Sequence, residues 1–190
     1  MNLRQHLATF ALCLAPAAAF AHSGHDHSGL LAGLAHPTGG LDHLLAMLAV
    51  GLWAAQQKGT ARWALPLTFV ISMLFGGLLG FDGLQIPGLE SGIATSVLAF
   101  GLLVAVAARL PMAVALSLTS LFALSHGVAH GLELPEMAEP ISYALGFLAA
   151  TAALHAVGYA LVRYLPQAAA PLVRLFGLGS AGAGFWLLAH

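Results

Sequence analysis

The sequence predicts an all-α membrane protein, a bundle of six transmembrane helices with a broken first helix. Of its 190 residues, 59% are hydrophobic and only 7% are charged, and the mean hydropathy is +0.89. A soluble domain carries about 25% charged residues, so this composition excludes a soluble enzyme. The net charge of −1 leaves no basic face for nucleic acid, and no nucleic-acid partner is expected.

The first 21 residues are typical of a cleaved signal peptide. Arg4 precedes an apolar run over residues 7–15, and Ala19-Phe20-Ala21 is a small-residue cleavage site, so we expect the mature chain to begin at His22. The alternative is an uncleaved anchor helix, but the run is short for about 30 Å of hydrocarbon. The only cysteine, Cys13, leaves with this segment, so no thiolate remains as a metal ligand or nucleophile.

Six apolar windows of spanning length follow, and the charges between them orient the bundle. The windows cover residues 41–57, 62–81, 90–109, 111–132, 140–163 and 171–189. Basic and acidic connections alternate, with Lys58, Arg62, Arg109, Arg163 and Arg174 on one side and Asp82, Glu90, Glu133, Glu136 and Glu139 on the other. The positive-inside rule therefore predicts a bacterial inner-membrane protein with both termini in the periplasm.

A first polar cluster lies at the outer end of the first span. A proline and two glycines follow His36 and should break the helix, leaving residues 30–35 as a separate piece and restarting near Leu41. Asp42 would then lie in the first turn, where the helix dipole favours a carboxylate. We expect His36 to fold back toward Asp42 and His43.

A second cluster lies at the outer end of the fourth span. His126 and His130 are four residues apart, so both rings leave one helix face, and Glu133 extends that face. Gly127 and Gly131 keep the neighbouring surface bare. With the first cluster, four imidazoles and two carboxylates suit nickel, cobalt, zinc or copper better than calcium or magnesium.

This pattern has two interpretations. Ionisable groups within a bilayer are costly and usually functional, which favours a metal site. The alternative is a hydrogen-bonded network that ties two helices together, and some members would orient imidazoles without touching metal. Small residues such as Gly76, Gly80, Gly177 and Gly184 fit ordinary helix packing better than a pore lining.

Two further features of the spans each have two interpretations. Thr151, His155 and Tyr159 form a polar stripe in the fifth span, where His155 is either an inner relay for an ion or a buried histidine bonded to a carbonyl. Met47, one turn after His43, offers a thioether but more often such a methionine is packing.

The chain divides into a signal peptide at 1–21, a histidine-rich periplasmic tail at 22–29 and a transmembrane domain at 30–190. In the tail, His22, His25 and His27 are expected to capture metal loosely, the alternative being a solvated segment without a role.

The two clusters in this order resemble the HupE/UreJ family. The resemblance rests on His36-x5-Asp42-His43 and on His126-Gly127-x-Ala129-His130-Gly131-x-Glu133, and it extends over the signal peptide and six spans. One departure is Ser125, where the family pattern often has Phe. The resemblance implies a hydrogenase- or urease-associated nickel or cobalt permease, with His36, Asp42, His43, His126, His130 and Glu133 as the transport residues.

The expected function is import of Ni²⁺ or Co²⁺, or else Zn²⁺ or Cu²⁺, without a permanently bound cofactor or enzymatic activity. No Gly-rich phosphate loop is present, which favours uniport or channel-like transport. Membrane lipid is an expected partner, as is a second copy of the chain, while metallochaperones are not readable from the sequence. A membrane-embedded metal hydrolase using the same residues and a haem-binding electron carrier are the alternatives.

Overall fold

A computed structural model describes residues 29–134 and 139–190, and every regular element in these ranges is helical. Its seven α-helices are α1 (Gly29–Gly39), α2 (Leu41–Gln56), α3 (Ala61–Phe81), α4 (Leu89–Ala105), α5 (Met112–Leu132), α6 (Pro140–Tyr164) and α7 (Ala170–Ala189). The predicted signal peptide, Glu136 and the tail histidines His22, His25 and His27 lie outside the described residues.

The first predicted span is broken where the sequence indicates. Helix α1 ends at Gly39 and α2 begins at Leu41, and the two axes are bent by 85° across Gly40. Gly40 has extended backbone angles and its carbonyl accepts the first hydrogen bond of α2, from Leu44 N–H. The first piece is longer than predicted, because the helix continues through Pro37 instead of ending at residue 35.

Not all predicted spans have full spanning length. Among the described residues, four helices are long and apolar enough to cross a membrane: α3, α5, α6, and α7 together with its preceding 3₁₀ turn, Gln167–Ala169. The bent pair of α1 and α2 raises this number to five if it counts as one span. Helix α4 is apolar but has 17 residues. The chain is thus a helical protein of membrane type.

Glycines allow the backbones of two helix pairs to pack closely. An added Cβ at Gly76 or Gly80 of α3 would collide with α5 carbonyls, and one at Gly127 or Gly131 would collide with the α3 backbone. The contacts advance in the same direction along both helices, so α3 and α5 run parallel. Helices α4 and α7 make an antiparallel pair in the same way, through Gly101, Gly177 and Gly184. The prediction that these small residues serve packing is confirmed.

Candidate metal site

Helix α5 presents His126 and His130 to the centre of the bundle. Its glycine face is held against α3, and each histidine precedes one of these glycines by one residue, so both rings point about 100° away from the α3 contact. The side chain of His126 is fully buried and that of His130 is 3% exposed. The close α3–α5 packing therefore fixes where both imidazoles lie.

His43 joins these two rings from the first turn of α2. Its ring centroid lies 4.8 Å from that of His126 and 4.2 Å from that of His130. One nitrogen from each of the three rings falls within a set whose members are all within 4.8 Å of one another. The two predicted clusters thus meet at one place, and we call these three side chains the buried trio.

A carboxylate orients His43. Asp42 Oδ1 accepts from His43 Nδ1 at 2.8 Å and also from the backbone N–H of His43 at 2.7 Å. Because a carboxylate only accepts, Nδ1 carries the proton and Nε2 keeps its lone pair. Gly40 leaves room for this arrangement, since a Cβ there would come within 2.6 Å of Asp42 Oδ1.

A serine of α4 orients His126. The hydroxyl of Ser96 donates to the carbonyl of Ile93 at 2.7 Å, and its oxygen lies 2.7 Å from His126 Nε2. Since the hydroxyl proton is used by the carbonyl, Nε2–H of His126 donates to Ser96 and Nδ1 keeps its lone pair. Ser96 is not predicted as a site residue from the sequence, because a serine in an apolar helix usually bonds its own backbone and carries no further signal.

The other ring nitrogens of the buried trio are buried and make no hydrogen bond in the described structure. Within residues 29–134 and 139–190, His43 Nε2, His126 Nδ1 and both ring nitrogens of His130 have no hydrogen-bond partner. A buried polar atom without a partner costs about 1–3 kcal/mol. A network that ties helices together would use these atoms, whereas Lewis-basic nitrogens facing one another are the arrangement that a metal ion requires.

A second group lies on the outer side of His130. His36 Nε2 and Glu133 Oε2 are 3.0 Å apart, and His130 Nδ1 is 3.9 Å from the same carboxylate oxygen. The side chains of His36 and Glu133 are 29% and 50% exposed. His36, His130 and Glu133 form a second set of close ligand atoms, and we call this set the outer group.

The position of His36 corrects the sequence prediction. His36 was expected to fold toward Asp42 and His43, but it pairs with Glu133 instead. Helix α1 lies along α6, where Gly33 and Gly146 allow the two backbones to touch, and the 85° bend carries His36 toward the end of α5. His36 consequently belongs to the outer group and reaches the buried trio only through His130.

Aromatic rings lie beside His130, the imidazole that belongs to both ligand sets, and beside its neighbour His36. Phe147 lies 4.0 Å from the ring of His130, and Tyr143 lies 5.7 Å from the ring of His36, centroid to centroid. Beside them an apolar cavity of about 440 Å³ opens between α3, α5 and α6. The side of the site that faces this cavity is therefore apolar, and polar access is through His36 and Glu133.

The spacing suits a small divalent ion. Metal–nitrogen bonds of about 2.0–2.1 Å at a tetrahedral ion place neighbouring nitrogens about 3.4 Å apart. The atoms of the buried trio, which lie within 4.8 Å of one another, need to approach by up to about 1.4 Å to reach this spacing. Three neutral imidazoles fit borderline transition metals, and the hydrogen bonds that His43 and His126 donate to Asp42 and Ser96 fix the tautomers that binding requires.

His155, Met47 and Ser125 make no hydrogen bond to the trio in the described structure. His155 is 3% exposed, and neither ring nitrogen has a protein partner in the described chain, so the interpretation as a histidine bonded to a carbonyl is wrong. Met47 is buried and its sulfur accepts from the Thr151 hydroxyl at 3.3 Å. Ser125 Oγ donates to the Leu121 carbonyl and makes no bond to the trio.

Fold and site together define a helical protein of membrane type, whose described residues include a buried cluster of imidazoles with unpartnered ring nitrogens. Comparison with known proteins gives its family: the family model described as HupE / UreJ protein matches residues 10–187. The chain belongs to the HupE/UreJ family, as its motifs predict. It is similar to Protein HupE of Rhizobium leguminosarum bv. viciae, at 45% identity over 181 residues and 95% of each chain. No solved structure matches it.

Proposed function

We propose that this chain is an inner-membrane permease for a divalent transition metal, Ni²⁺ or Co²⁺, that supplies hydrogenase or urease maturation. The observation that carries the proposal is the buried trio, with three imidazoles from α2 and α5 whose free lone pairs converge. The hydrogenase and urease connection follows from the family resemblance. Membership of an accessory family also favours transport over catalysis.

The proposed topology has six spans, both termini in the periplasm and a cleaved signal peptide. It counts the α1–α2 pair as one span and α4 as another, since 17 residues reach about 25 Å, the lower limit for a span. The site lies at the helix ends that carry Asp82, Glu90, Glu133 and Glu139, and the basic residues lie at the opposite ends. By the positive-inside rule the site faces the periplasm.

Transport starts at the outer group in this proposal. His36 and Glu133 are exposed enough to meet a hydrated ion, and His130 belongs to both ligand sets, so it passes the ion to His43 and His126. The tail histidines His22, His25 and His27 raise the local metal concentration. Inward movement of a divalent ion gains about 4.6 kcal/mol per 100 mV of membrane potential, which removes the need for ATP.

Acid should oppose this transport. Protons compete with the metal for the imidazole lone pairs, because a metal binds only the neutral ring. Uptake is therefore expected to fall as the pH is lowered from 7 to 5. A steady rise of uptake over this range would contradict the assignment of imidazole ligands.

The test is nickel uptake in cells that lack their own importers. Wild type, His130→Ala and Asp42→Ala are compared at equal membrane levels, with cobalt, zinc and copper as competitors. His190→Ala serves as a control, since this exposed histidine stacks on Trp186 and belongs to neither ligand set. Loss of uptake in both site variants with a normal control supports the proposal and ranks the metals.

Normal uptake in both site variants would show that the two clusters serve only helix packing. Absence of uptake of any metal by the wild type would favour the membrane-embedded hydrolase instead.

A further inference from the structure

Further side chains of types that can ligate a metal lie deeper in the bundle, around His155 of α6. His155 is 3% exposed, and its two ring nitrogens have no partner in the part of the chain that the structure describes. Asp42 and Ser96 bond His43 and His126 but not His155, so neither of them orients the His155 ring. An imidazole that is buried without any bond costs stability, which calls for a ligand.

His155 lies one aromatic ring away from the buried trio. The ring of Phe69 packs against His126 with centroids 5.8 Å apart and against His155 with centroids 5.1 Å apart. The Phe69 side chain is fully buried. The two histidines therefore flank one ring, and an ion that leaves the trio on this side meets His155 next.

Two thioethers converge one turn from His155. The hydroxyl of Thr151, which is four residues before His155 on the same face of α6, donates to Met47 Sδ at 3.3 Å and lies 3.8 Å from Met73 Sδ. The two methionines come from α2 and α3, and both are fully buried. Imidazole and thioether ligands suit a borderline or soft transition metal and do not suit calcium or magnesium.

We propose that His155 is the imidazole ligand of a second, inner resting position for the transported metal, with the Met47 and Met73 thioethers beside it. This inference rests on the proposed permease function and adds a step to it. The ion passes from the buried trio, past the Phe69 ring, to His155, and no covalent chemistry is involved. The inner position is weaker than the trio, because no carboxylate or hydroxyl of residues 29–134 and 139–190 orients its imidazole.

The experiment combines metal binding with stability. Purified full-length protein is titrated with Co²⁺, a coloured probe, in wild type and in His155→Leu. Leucine fills the apolar site without the unpartnered nitrogens, so the metal-free variant should melt at the same or a higher temperature than wild type. We expect His155→Leu to bind one equivalent of Co²⁺ less and to lower uptake by about tenfold.

A matched control is available on the same helix face. Tyr159→Phe, one turn beyond His155, keeps the ring that stacks on Trp63 at 5.2 Å, and it should bind and transport as wild type does. The double change Met47→Leu and Met73→Leu conserves volume, and it should remove any sulfur contribution from the X-ray absorption spectrum of the Co²⁺-loaded protein.

Two results would overturn the inner position. One is unchanged Co²⁺ stoichiometry in His155→Leu. The other is unchanged uptake together with a lower melting temperature of the metal-free variant, which would assign His155 to structure alone. Either result combined with lost uptake in His130→Ala leaves the permease function intact, whereas normal uptake in His130→Ala removes both proposals.

Discussion

At the basic end of the bundle, Trp53 Nε1 and Gln57 Nε2 both donate to the carbonyl of Ala108, each at 2.9 Å. At the acidic end, His43 and His126 each use one ring nitrogen for a bond and leave the other buried without one. Both regions place polar side chains in an apolar interior. The bonded pair holds α2 to the α4–α5 connection, while the half-bonded imidazoles leave lone pairs for a ligand.

The two ends of the bundle separate structural polar groups from functional ones. A polar side chain whose hydrogen bonds are all made stabilises the fold, since its desolvation is offset. One whose tautomer is fixed but whose lone pair is unused lowers stability and prepares a metal ligand. Variants at the acidic end should therefore affect metal affinity, and variants at the basic end should affect stability.

The largest effect is expected from the two groups that orient the imidazoles. Asp42→Asn removes the charge next to His43, and Ser96→Ala frees the ring of His126 to choose the other tautomer. Each change should weaken Ni²⁺ binding by about 10–100-fold, measured by titration of purified protein.

Thr95→Ala is the matched control for Ser96→Ala, because the Thr95 hydroxyl is exposed and bonds only the Ser91 carbonyl in the described structure. Equal losses in Ser96→Ala and Thr95→Ala would contradict an orienting role for Ser96.

A change in helix packing should affect both the stability of the protein and its metal affinity. In Gly127→Ala the new Cβ collides with the carbonyl of Met73, so α5 must move away from α3, at a cost of about 1–3 kcal/mol. His126 moves with it, and metal affinity should fall as well.

Gly179→Ala on α7 is the comparison for this change. The new Cβ has no neighbouring atom within 4 Å in the described structure. The free energy of unfolding should therefore rise by about 0.5–1 kcal/mol in thermal melting, because alanine has a better helix propensity than glycine. If Gly127→Ala melts as Gly179→Ala does, the α3–α5 contact is not tight.

At the basic end, Gln57→Leu removes the donor that bonds the carbonyls of Ala108 and Trp53. The unfolding free energy should fall by about 1–2 kcal/mol, and the affinity for Ni²⁺ should stay unchanged. A clear loss of affinity in correctly folded Gln57→Leu would break the division between the two ends.

The smallest effect concerns Glu139, which immediately precedes α6 and lies outside the spans. Hydrogen bonds from Ser142, and then from the backbone N–H of Ile141, lower the pKa of Glu139 from its ordinary value of 4.5. A lowered folded-state pKa stabilises the protein above about pH 4.5 and ceases to do so as the pH falls through the lowered value.

Glu139→Gln should consequently lower the melting temperature slightly at pH 7 and have no effect below the lowered pKa. Melting curves of both proteins across this pH range test it, and a constant difference at all pH values would show that the charge is not responsible.

Much of the fold was predictable from the sequence, because its signals are local. The charge deficit predicts a membrane protein, and the Pro and Gly residues after His36 predict the break that the structure has at Gly40. The four-residue spacing of His126 and His130 predicts a shared helix face. The span count was less predictable, since α4 has only 17 residues.

Composition and periodicity are enough to predict the class of protein, the residue types of the site and the helix faces that carry them, since both act within one helix. The packing of the helices, in contrast, establishes which groups meet. It pairs His36 with Glu133 rather than Asp42, brings His43 between His126 and His130, and places Ser96 on the nitrogen of His126. These contacts depend on a bend of 85° and on glycine-set distances between helices, which are properties of packing and not of any one segment.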